Sequence, residues 1–198
     1  MRETGYIIPF LKRSQQKANP KGLNSIYLQS DHRPIPKAMS FPTVQATLPA
    51  LPLREAIVDP VYRAVLSFDE NDLPLFESAF FEDAAFDFNG SVMQGRDAIK
   101  SGSWDNVSKL DTTHFLSNVR INLPSEDSTT ATVTASAMAQ HFRTGQGNQP
   151  DTTRLTSGAL YSIDVAKDAA DANGLWKIKV WKMKLVWTEG DWGVMTGN

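Results

Sequence analysis

Three histidines occur among the 198 residues, at His32, His114 and His141. Two of them fall in stretches rich in β-formers. His114 lies in Thr112-Thr113-His114-Phe115-Leu116-Ser117-Asn118, and His141 ends an alanine-rich run in Ala139-Gln140-His141-Phe142. An imidazole titrates near neutral pH, so a histidine pair in a half-apolar cavity can serve as general base and general acid. Asp69, in Ser67-Phe68-Asp69-Glu70-Asn71-Asp72, is a carboxylate that could orient one of the rings and fix its tautomer. Pattern alone equally allows two unrelated histidines with local hydrogen bonds, and a carboxylate that only ends a helix.

The remaining chemistry is bounded by what the chain lacks. Without cysteine there is no disulfide, thiolate nucleophile or cysteine-ligated metal. Gly145-Gln146-Gly147 has neither the third glycine nor the helix of a phosphate loop, and no Gly-x-Ser-x-Gly elbow occurs. Two histidines and Asp69 could form a two-His-one-carboxylate site, but no short His-x-Asp or His-x-x-x-His spacing supports one; no metal and no cofactor are expected. The net charge of −2 gives no basic surplus for phosphate backbones, so no nucleic-acid partner is expected. No run approaches the length needed to span a bilayer, and the expectation is a cytoplasmic protein without a membrane partner.

The elements must place His114 and His141 together. Residues two apart share a strand face, so His141 lies with Ala135, Ala137 and Ala139, whose small side chains leave volume above them. His114 shares its face with Leu116 and Asn118. The turn Pro124-Ser125-Glu126-Asp127 lies between the two strands, Thr112–Leu123 and Thr129–Arg143, so a hairpin would bring the histidines onto neighbouring strands. Arg154–Val165 and Leu175–Trp187 read as two further long strands. In the latter, a change of apolar phase at Val180-Trp181 predicts a bulge or a strand buried on both faces. Asn89-Gly90 predicts a tight hairpin between Ala84–Phe88 and Ser91–Met93.

Upstream, Asp59-Pro60 reads as an N-cap and first helical position, and Asp72 as the cap of a second helix carrying Leu75, Phe76, Ala79 and Phe80. A third helix is predicted over Asp97 to Val107. Residues 1–50 hold six prolines and no sustained period, and read as an irregular arm before a single domain over 51–198. Helices, then a hairpin, then long antiparallel strands predict an α+β fold, with a curved sheet around helices and a pocket between them. Trp104, Asn118, Trp181 and Met183 are candidates to line it.

Phe68-Asp69-Glu70-Asn71-Asp72, Thr113-His114-Phe115, Gln140-His141-Phe142, Gly174-Leu175-Trp176-Lys177-Ile178 and Trp187 resemble, in order and spacing, the landmarks of scytalone dehydratase and the SnoaL-like proteins of the NTF2-like superfamily. The resemblance covers about residues 53–192. It implies a cone-shaped, cystatin-like α+β barrel and a cofactor-independent lyase, isomerase or cyclase of secondary metabolism, with Asp69, His114 and His141 in the catalytic roles. By motif position Ser157 would contact substrate. Two dehydratase tyrosines correspond to Phe68 and Phe88, and an asparagine to Ala159, which removes groups that polarise a ketone and makes the pocket more apolar. A small hydrophobic polyketide or terpenoid intermediate is therefore the expected substrate. Family habit implies a homo-oligomer, dimer or trimer. The same fold also serves as a non-catalytic binding or protein-interaction module, which is the alternative expectation.

Overall fold

A computed structural model describes residues 42–196. The calls on the first part of the arm, including His32, lie outside the described residues. Residues 42–52 run without helix or strand.

Helix α1 spans Leu53–Asp69 and opens on Pro52, whose extended ψ of 150° turns the chain into the helix. Ala56 N donates to Pro52 O at 2.9 Å, and Glu55 in the first turn suits the positive end of the helix dipole. The helix therefore begins six residues before Asp59, correcting the sequence reading. Pro60 lies inside it and removes one backbone bond, normally a cost of about 3 kcal/mol. Burial of Ile57, Val61, Ala64 and Phe68, one stripe at spacings of four, three and four, outweighs that local signal. Asp59 is not a cap; it accepts from Arg63 Nε at 2.7 Å.

Asp72 does cap α2 (Leu73–Ala79), its Oδ1 accepting from Leu75 N at 2.9 Å. Phe80, assigned to that helix from the sequence, instead opens β1 (Phe80–Phe88). Asn89 and Gly90 take φ of 52° and 90°, as a tight hairpin requires, and lead into β2 (Ser91–Gln94). The helix predicted over 97–107 is three pieces: α3 (Arg96–Ile99), a π-helical turn (Lys100–Trp104) and α4 (Asp105–Val107). Then come β3 (Asp111–Asn122), β4 (Thr130–Phe142), β5 (Arg154–Lys167), β6 (Trp176–Gly190) and a last turn, α5 (Gly193–Thr196).

The strands form one sheet in the order β2-β1-β6-β5-β4-β3. Neighbours run antiparallel except β1 and β6, which are parallel. The odd residues of β4, Ala131 to His141, are buried on one face, and so are the odd residues of β5 from Leu155 to Val165. The helices cover this face, which gives the α+β class expected. The predicted irregularity of β6 is a bulge: Val180 pairs with Asp164 and Ile178 with Val165, leaving Lys179 extra. A second bulge leaves Val186 extra between Leu185 and Trp187.

Candidate active site

β3 is an edge strand, and an edge strand leaves alternate N–H groups without a sheet partner. At His114 that group donates to Asp69 Oδ2 at 2.9 Å. The His114 ring, through Nδ1, meets Asp69 Oδ1 at 2.6 Å. One carboxylate thus engages both the backbone and the ring of a single residue. As a carboxylate only accepts, Nδ1 carries the hydrogen, and Nε2 is the nitrogen left for the cavity that His114 lines. Asp69 is the last residue of α1, where the helix dipole disfavours negative charge, and the two contacts from His114 offset that.

His141 sits on the neighbouring strand. Thr112 pairs with His141 and His114 with Ala139, so the two histidines are diagonal neighbours. Their ring centroids lie 5.5 Å apart at 72°. Thr112 Oγ1 is 2.7 Å from His141 Nδ1 and holds the ring in place. His141 is 5 % exposed. Burial first, then the neighbouring His114, lower its pKa against the opposing pull of Asp69, from 6.5 to about 4 in all. At neutral pH it is an uncharged imidazole.

Both rings open on a cavity of about 280 Å³ between the sheet and the helices. Phe68, Phe88, Trp181, Met183 and Ser157 line it, as the sequence suggested, together with Ala137, Ala139 and Ala159. Phe68 packs against the His114 ring at 5.9 Å between centroids. Two candidates stand elsewhere. Trp104 is buried in the core, with Nε1 donating to Ser67 O at 3.2 Å. Asn118 is exposed: a bulge between Ser117 and Arg120, with Asn118 at φ 53°, breaks the alternation that would have put it beside His114, and its side chain donates to Ser136 Oγ at 3.2 Å.

Sequence reasoning missed several lining residues. Tyr161 follows Ser157 and Ala159 at intervals of two, so its place on the inner face was readable from β5. Trp192 and Met195 also line the cavity, from a terminal turn too short to carry a helical period. Among the described residues, no group of three or more His, Asp or Glu side chains is arranged to hold a metal ion. Among them, too, no helix is long and apolar enough to cross a membrane.

A family model described as a SnoaL-like domain matches residues 49–182. The chain is 48% identical over 157 residues to terrestric acid biosynthesis cluster protein E of Penicillium crustosum, a match covering 79% of this chain and 98% of that protein. Similar solved structures include a candidate scytalone dehydratase from Novosphingobium aromaticivorans, with TM-score 0.58 and 23% identity over 70% of this chain and 87% of that one. A hexachlorocyclohexane dehydrochlorinase matches with TM-score 0.56 and 18% identity over 71% and 90%. An NTF2-like superfamily protein from Salmonella enterica matches with TM-score 0.55 and 16% identity over 68% and 91%. At these identities the structural matches speak for the fold.

Proposed function

This chain belongs to the SnoaL-like domain family, and from that premise we propose that it is a cofactor-independent lyase, isomerase or cyclase acting on a small hydrophobic polyketide or terpenoid intermediate. The observation that carries the reading is the Asp69–His114 pair set beside neutral His141 on one enclosed cavity. The kinship with a biosynthesis cluster protein supports secondary metabolism as the setting.

In this mechanism His114 is the general base. Asp69 holds the Nδ1–H tautomer, aims Nε2 into the cavity and stabilises the imidazolium once a proton has been taken. His141, uncharged, contributes its remaining ring nitrogen as a hydrogen-bond partner to the substrate rather than as a cation. The open cavity favours this reading over the interaction module, for which a filled cone would be the better support.

The test is proton exchange into a model ketone, 2-tetralone, in heavy water, followed by NMR. His114→Ala should slow exchange by on the order of 10²–10⁴-fold with the fold retained, and Asp69→Asn should slow it in the same direction. Full activity in both variants would remove the catalytic assignment.

A homo-oligomer, dimer or trimer, is part of the proposal. Phe115, Met138, Leu160 and Trp187 are 44–54 % exposed and share the outer face of β3 to β6, an apolar surface larger than single scattered residues would give. A monomeric mass by light scattering at working concentration would exclude it.

A further inference from the structure

We propose that Tyr161 donates its hydroxyl hydrogen to an oxygen of the bound substrate, and so selects substrates that carry a carbonyl or enol oxygen on an otherwise apolar body. The proposal deepens the proton-transfer reading above and rests on it for the chemical step.

The geometry is specific. Tyr161 is on the inner face of β5, two and four residues past Ala159 and Ser157, and it pairs with Ala135 on one side and Met183 on the other. The residue is 5 % exposed and lines the cavity. Its ring meets Trp181 edge-on at 5.0 Å, which restrains the ring. Among the described residues that hydroxyl has no hydrogen-bond partner, and its oxygen is not one of the enclosed, unpartnered polar atoms, which are Ser108 Oγ and Trp181 Nε1. It is therefore not sealed in, and the residue lines the cavity that both histidines line, as well as a second hollow beside Lys182 and Lys184. A buried hydroxyl without a partner is costly, so one held open toward a ligand site is a donor waiting for an acceptor.

The acid–base character agrees. Burial raises the phenol above its ordinary value, and the Asp69 charge raises it further. Tyr161 thus stays protonated at any working pH and acts as a donor. Phe68, Phe88 and Ala159 leave the cavity without hydroxyl or amide at their own positions; Tyr161 supplies a hydroxyl from a different strand.

The step it serves balances as follows. His114 Nε2 takes a proton from the carbon beside the carbonyl. The C–H electron pair forms the new C–C double bond and the carbonyl pair moves onto oxygen, where the Tyr161 hydrogen bond strengthens as negative charge grows. Return of the pair either expels a β-hydroxyl, which leaves as water with the proton from His114, or accepts that proton at another carbon.

The test uses 2-naphthol, a flat apolar body with one enol-like oxygen, and naphthalene, the same body without it. Dissociation constants are measured by fluorescence titration for wild type and Tyr161→Phe. Wild type should prefer 2-naphthol by about tenfold, and the variant should bind naphthalene unchanged but lose that preference. The thermal midpoint of Tyr161→Phe should stay within a few degrees, as the ring is kept. A preference that survives in the variant, or that is absent from wild type, overturns the proposal. The 2-tetralone exchange separates it from the parent reading. Exchange that depends on His114 while the naphthol preference ignores Tyr161 defeats only the Tyr161 contact. A Tyr161-dependent preference without any exchange defeats only the proton-transfer reading.

Discussion

His141 is buried between the alanines of β4 and the ring of His114, and the uncharged state this imposes has a thermodynamic consequence. In the unfolded chain the ring binds a proton near pH 6.5; in the folded chain it does so only near pH 4. Between those values the unfolded state binds more protons, so stability rises with pH across that window and falls as pH drops from 6.5 toward 4. The full contribution is on the order of 3 kcal/mol. Urea midpoints at pH 7 and pH 4.5 should show this loss in wild type, and His141→Gln should flatten it. An unchanged slope in the variant would place the acid sensitivity elsewhere. On the proposed mechanism, the same depression keeps protonation of His141 from limiting turnover until the pH approaches 4.

Arg63 shows how elements are tied behind the site. From the middle of α1 it donates to Asp59, to Ser78 at the end of α2, and to the carbonyl of Trp176 where β6 begins. The guanidinium is 2 % exposed. Arg63→Met should cost about 3–5 kcal/mol, read as a lower urea midpoint, because the partners stay buried and unpaired. At the far end of β6, Gly190 has φ of 104°, and a Cβ there would meet Arg154 O at 2.0 Å. Gly190→Ala should cost about 1–3 kcal/mol and loosen the turn that brings Trp192 and Met195 to the cavity, visible as faster amide exchange over 191–196. Much of this scaffold was legible: the alternation of β4, the cap at Asp72, the Asn89-Gly90 hairpin and the bulge in β6 are each local signals. What was not legible came from beyond the local window. Pro60 looked like a helix start because burial of the α1 stripe cannot be seen from two residues. Asn118 looked inward because its bulge is set by pairing with β4. Trp104 looked like a pocket residue because nothing local reveals the Ser67 carbonyl that receives its N–H.

Across residues 42–196, a sheet and its helices leave a hollow that packing would ordinarily fill, and small side chains on two adjacent strands help leave it open. Ala137, Ala139 and Ala159 face it where larger residues would complete the core. Ala137→Phe should occupy the hollow, abolish 2-naphthol binding and leave the thermal midpoint near wild type. Retained binding would mean that the ligand enters elsewhere. The alanine wall also bears on how such a protein changes over time. Successive inward positions on β4 are about 7 Å apart along the strand; Ala139 pairs directly with His114, whereas Ala137 pairs with Leu116, one step further from the histidines. A lineage could shorten, widen or bend the accepted molecule one substitution at a time while keeping the same proton-handling pair. On the proposed function, the wall at Ala137 and Ala159 would serve as a ruler for substrate length.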